Sequence, residues 1–178
     1  MMGGKDEAKL ILSEELYELR RRIIEHHIAA GEKASGRTVE SLRVEVSDTG
    51  GVLFGRKAFG TLETGRKAGT GPKGFTQIIR QWILDKGIAY EAIPYVRVAS
   101  DRWTPKYTPE ERGLRSLAGA IAGKIRNEGT ALFRSGGRDD IYSQEIPKTI
   151  DSIRSRVFAI FEEDVKHINL NSNEKDND

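Results

Sequence analysis

Residues 40–55 read ESLRVEVSDTGGVLFG. The hydrophobic period changes here from that of a helix to that of a strand. Leu42, Val44 and Val46 alternate with Arg43, Glu45 and Ser47, the pattern of a strand with one wet face. Asp48-Thr49-Gly50-Gly51 has turn chemistry, and Val52-Leu53-Phe54 supplies a short second strand. Residues 40–55 are therefore expected to form an antiparallel hairpin.

Helical periods flank it on both sides. Upstream, Leu12, Leu16, Leu19 and Ile23 recur over residues 6–30, with Ile24 and Ile28 widening the stripe and Gly31 as the stop. Downstream, Phe75, Ile78, Ile79, Trp82 and Ile83 mark one apolar face of a helix over 75–86, and Trp82 is expected in the core. Ile93-Pro94-Tyr95-Val96-Arg97-Val98 is expected to add an edge strand near 93–98, where a proline is tolerated. Thr108, Pro109 and Glu111 spell a capping box with proline in the first turn, opening a helix that Gly129 closes. Gly113, Gly119 and Gly123 inside that helix point to close approach by another backbone. A last helix begins near Ser143, and its Ile146, Ile150, Ile153, Val157 and Ile160 follow a near-heptad seam suited to packing inside the domain or against another subunit. Residues 169–178, NLNSNEKDND, are polar and are expected to be a mobile tail. The fold class is α+β: a small antiparallel sheet packed by about four helices, as a single domain over residues 1–168.

The chain has 178 residues and no cysteine, which excludes disulfides, thiolate metal sites and thiol catalysis. No apolar run spans a bilayer, and Met1–Lys9 has no apolar signal core, so cytoplasmic synthesis without a membrane partner is expected. Net charge is only +2. It is unevenly spread: residues 162–178 carry six acids against two lysines, −4, leaving +6 for residues 1–161. Residues 55–74, GRKAFGTLETGRKAGTGPKG, hold Arg56, Lys57, Arg66, Lys67 and Lys73 against Glu63 alone, and repeat Gly-Arg-Lys-Ala at 55–58 and 65–68. This glycine- and cation-rich loop suits a polyanion or an acidic protein neighbour.

Signals for enzymatic chemistry are weak. Gly69-Thr-Gly-Pro-Lys-Gly74 fits G-x-G-x-x-G, but LETGRKA before it makes a poor strand and Pro72 removes an amide donor. His26 and His27 are adjacent on a helix and diverge by about 100°, too far to share a metal. No serine lies in a nucleophile elbow. No cofactor, metal or enzymatic activity is expected. Trp103 and Tyr107, beside Arg102 and Lys106, either stack on bases or pack at an edge.

The order of elements over residues 35–129 resembles the tailed-phage neck and tail-completion proteins. The resemblance rests on Leu62-Glu63-Thr64-Gly65-Arg66-Lys67-Ala68-Gly69, on Ile79-x-x-Trp82-Ile83-x-x-Lys86-Gly87-Ile88, and on Ala118-x-x-Ile121-Ala122-x-Lys124-Ile125-x-x-Glu128-Gly129-Thr130. It covers about half of the chain. It departs at Gly71-Pro72-Lys73-Gly74, where the family has a Pro-Pro pair. The resemblance implies a non-enzymatic virion protein, made in the host cytoplasm. It would form a homo-oligomeric ring (hexamer or dodecamer) between portal or adaptor proteins and the tail tube, around the DNA channel. The residues implied at the channel or a subunit interface are Arg56, Lys57, Arg66, Lys67, Lys73, Arg102 and Trp103. A sequence-independent nucleic-acid-binding protein is the alternative.

Overall fold

The computed structural model describes residues 4–96 and 105–175. The expectation of an α+β chain holds: long helices at both ends accompany a two-stranded antiparallel hairpin. The chain forms two compact units, one from Met1–Glu32, Thr38–Phe59 and Asp139–Asp178, the other from Lys33–Arg37 and Gly60–Arg138.

In the first unit, helix α1 (Gly4–Ala29) buries Ile11, Leu16, Leu19, Ile23 and His27 along one face. A four-residue helix, α2 (Arg37–Glu40), leads into the hairpin of β1 (Arg43–Ser47) and β2 (Gly50–Phe54). Its register sets Arg43 opposite Phe54 and Ser47 opposite Gly50, leaving Asp48-Thr49 as the turn. Val44, Val46 and Leu53 are half-buried while Arg43, Glu45, Val52 and Phe54 face solvent, so the alternation in the sequence becomes two faces. Arg20 Nε donates to the Leu42 carbonyl at 2.8 Å, tying α1 to the start of the hairpin.

The second unit holds the short helices α3 (Thr61–Thr64) and α6 (Ala131–Arg134) and the longer α4 (Phe75–Lys86) and α5 (Pro109–Glu128). Its core is Phe75, Ile79 and Ile83 of α4 against Leu114, Ala118 and Ala122 of α5. The capping box is formed: Glu111 N–H donates to Thr108 Oγ1 at 3.2 Å, and Thr108 N–H to Glu111 Oε2 at 3.4 Å. Trp82 departs from its expected core position. It is 38% exposed, because Phe75, Ile79 and Ile83 alone at four-residue spacing fill the face against α5.

The edge strand near 93–98 is absent over 93–96, and residues 97–98 lie outside the described residues. Ile93 N–H donates instead to the Pro109 carbonyl at 2.9 Å, which binds this segment to the start of α5. The same approach explains Gly113: a Cβ there would overlap the Glu91 carbonyl oxygen, whereas one at Gly119 or Gly123 meets nothing within 4 Å. Only the first of the three glycines is a close-approach site.

The last helix, α7 (Glu145–Lys175), continues through 169–175, where a mobile tail was expected; residues 176–178 lie outside the described residues. Extending a formed helix adds one hydrogen bond per residue fixed and needs no apolar side chain. Helix α7 packs on α1 through polar residues at helical spacing, with Ile153, Val157 and Ile160 of its seam half-buried and Ile153 and Val157 sharing a groove with Leu12 of α1. Arg22 of α1 approaches the buried Glu145 carboxylate at 3.3 Å. Arg156 reaches Glu15 at 2.9 Å and Glu14 at 2.6 Å, and Ser152 Oγ donates to Glu15 at 2.8 Å. Thr149, also buried, accepts from Arg22 at 3.3 Å. Ile146 and Ile150, the first members of the seam, are left exposed.

These contacts set an acid sensitivity. The hydrogen bond from Lys148 holds the Glu145 carboxyl below its ordinary value of 4.5, against burial, with Arg22 adding attraction. Burial pushes Glu15 up, but the hydrogen bonds from Ser152 and Arg156 outweigh it and leave it low. Both groups bind protons more weakly folded than unfolded. Their contribution is complete above the unfolded value and is lost as pH falls through the lower folded values. Urea unfolding followed from pH 7 to 3 should show stability declining below about pH 4.5, and Glu145→Gln should flatten that decline while costing about 1 kcal/mol at pH 7. The α5 glycines give a second expectation. Gly113→Ala should cost about 1–3 kcal/mol in urea unfolding, and Gly119→Ala and Gly123→Ala should each gain roughly 0.5–1 kcal/mol.

Candidate functional site: a pinned basic segment

The cations of 55–74 divide between the two units. Arg56 and Lys57 belong to the first, and Arg66, Lys67 and Lys73 to the second. Lys57 begins a single 3-10 turn, Lys57–Gly60, and the Arg56 N–H donates to Ser41 Oγ at 3.1 Å. Both side chains are exposed.

In the second unit the backbone after α3 is tied to the end of α5. Arg66 N–H donates to Thr130 Oγ1 at 2.9 Å, and Thr130 N–H returns a bond to the Arg66 carbonyl at 2.9 Å. Gly69 N–H donates to the Arg126 carbonyl at 2.8 Å, and Arg138 N–H to the Glu63 carbonyl at 2.9 Å. Gly129, at φ 81°, completes the fit, because a Cβ there would sit 2.7 Å from the Arg66 carbonyl oxygen. Glu63 is buried at 2% exposure. A segment of low apolar content thus gains order from main-chain bonds to its neighbours.

Arg66 is spent on this construction. Its guanidinium lies 4.8 Å from the Phe75 ring centroid, and its Nη2 donates to the Thr70 carbonyl at 3.0 Å. Arg126 approaches the same ring at 5.6 Å. Lys67 and Lys73 point away, exposed, with no hydrogen bond or ion pair to a described residue. The two Gly-Arg-Lys-Ala copies are therefore not equivalent: Arg56 is exposed and Arg66 half-buried over an aromatic ring. Arg126 was not singled out in the sequence, because a cation near a helix end reads as an ordinary surface residue. Arg102 and Trp103 lie outside the described residues.

Residues 69–74 run into α4 directly, with Phe75 N–H donating to the Pro72 carbonyl at 3.0 Å, and the element before them is α3, not a strand. The strand-turn-helix geometry of a dinucleotide fingerprint is not present there. Among the described residues no three His, Asp or Glu side chains come together as a cation cage, and no helix is long and apolar enough to cross a membrane. No family model, curated protein or solved structure matches the chain.

Arg66 and the two lysines should separate in a stability measurement. Arg66→Ala should lower the thermal midpoint, by an amount equivalent to about 1–2 kcal/mol. Lys67→Ala and Lys73→Ala should each stay within about 0.5 kcal/mol of the parent chain.

Proposed function

We propose that this chain is a structural protein of a tailed-phage virion, forming a ring at the head–tail junction or at the end of the tail tube. The observation that supports this reading is the pinned basic segment. Lys67 and Lys73 are held on ordered backbone yet have no acidic partner among the described residues, and Arg56 and Lys57 are likewise exposed. Cations held in this way neutralise phosphates or acidic protein surfaces without reading a base sequence. That is the requirement of a channel through which DNA of any sequence passes. The segment that carries them also carries the resemblance to neck and tail-completion proteins. The ring's neighbours in this reading are the portal or adaptor on one side and the tail tube on the other.

The same residues favour a second reading, a sequence-independent nucleic-acid-binding protein acting outside a particle. Two measurements separate the readings. Mixed with its portal and tail-tube neighbours, the chain should enter a ring-sized complex in mass measurement and in projection images. Its absence with every neighbour would sink the ring. Salt titration of DNA binding by the isolated chain tests the second reading: the Lys67→Ala, Lys73→Ala double variant should reduce the slope of log K against log salt by about 2. No binding at low salt would remove that reading.

A further inference from the structure

Helix α7 leaves one side without cover. Ile150, Phe158, Phe161 and Val165 are 49%, 68%, 50% and 55% exposed. At 100° per residue they fall within an arc of about 80°, on the side of the helix opposite the polar face that meets α1. Ile146 extends the stripe toward the helix start. Five large side chains about half exposed leave roughly 400–500 Å² of apolar surface, at the upper end of what a monomer carries. The stripe continues into a groove of about 390 Å³ whose walls include Leu12, Ile153, Val157 and Phe161.

The charges along the stripe identify what covers it. Arg154 pairs with Asp151 at 3.4 Å, and Lys166 with Glu162 at 2.8 Å; all four side chains are more than half exposed. Exposed pairs of this kind contribute little on their own. Laid antiparallel against a second α7, with Phe158 facing Phe158, the helix matches itself. Ile150 then meets the neighbourhood of Val165 in the other copy, Arg154 lies opposite Glu162, and Asp151 lies beside Lys166. A parallel arrangement would set Arg154 on Arg154 and Glu162 on Glu162. We infer that two copies of this chain pair through α7, antiparallel about a two-fold axis at Phe158. Two such stripes, with the stems of Arg154 and Lys166, approach the roughly 1,200 Å² of a small specific interface.

The pairing does not rest on the ring reading. A two-fold interface closes on itself and cannot propagate head to tail around a ring. It describes the free protein, and it competes with any ring contact that uses the same side of α7.

Sedimentation velocity and light scattering on the full chain test it. The expected mass is twice the 19.9 kDa of the chain, in reversible equilibrium with monomer. Phe158→Asp should weaken association by at least about 30-fold, as expected for an anchor at the centre of an interface, with the far-UV helical signal retained. Arg154→Glu and Glu162→Arg should each weaken it, and the double variant should recover most of the loss. The charge swap distinguishes this register from general damage. A chain that stays monomeric up to about 200 µM overturns the inference, since a weaker pairing has no weight at cellular concentrations. So does a dimer indifferent to Phe158→Asp, a double variant no better than either single one, or a larger assembly unaffected by these changes.

Discussion

The charged contacts between α1 and α7 decide which surface the first unit shows. Arg22 and Arg156 meet Glu145, Glu14 and Glu15 at 2.6–3.3 Å, with Ser152 and Thr149 filling the remaining bonds. An ionic contact with one side buried, as at Glu145 and Glu15, is seldom worth more than an apolar one of the same size, but removing the cation and leaving the buried carboxylate is costly. It fixes the rotation of α7 about its own axis. With Glu145, Thr149, Ser152 and Arg156 turned toward α1, Ile150, Phe158, Phe161 and Val165 on the opposite side of the helix face outward, and Ile153, Val157 and Ile160 between the two sides are half-buried. Had Ile150, Phe158, Phe161 and Val165 packed on α1, these charges would lie on the surface and the apolar stripe would be hidden.

The second unit solves a different problem. Residues 65–70 have almost no apolar side chains to bury, yet they are ordered. Main-chain hydrogen bonds to Arg126, Thr130 and the neighbourhood of Gly129 replace the missing hydrophobic contacts. Arg66 adds its guanidinium over Phe75. The lysines beside it remain available because the arginine has taken the structural part. Order before binding lowers the conformational entropy lost on contact with a partner.

Local signals in the sequence were the readable ones. The Thr108–Glu111 capping box, the hairpin alternation and the limits of the Phe75–Lys86 helix depend on residues a few positions apart, and all are present. What could not be read depends on distant partners. Glu145, Thr149, Ser152 and Arg156 look like a solvent face until Arg22 and Glu15 are known to lie opposite. Arg56 and Arg66 share the same four-residue context, and only Phe75 and Thr130 distinguish them. Ile93 and Tyr95 have strand-like composition, but the Pro109 carbonyl claims the Ile93 amide. The cations near 55–74 were visible as charge, but their division into structural and free members was not.

The two units also differ in how the ribosome delivers them. The second is almost continuous in sequence, from Gly60 to Arg138, so its contacts can close while synthesis proceeds. The first waits for its last piece: Glu15 and Arg156 are 141 residues apart. At typical elongation rates α1 emerges roughly 7–30 s before its partner helix. During that interval α1 has the hairpin to pack against but not yet α7. The nascent chain is therefore most exposed to chaperones and to wrong partners before its C-terminal helix appears, and α7 sets the moment at which the fold is complete.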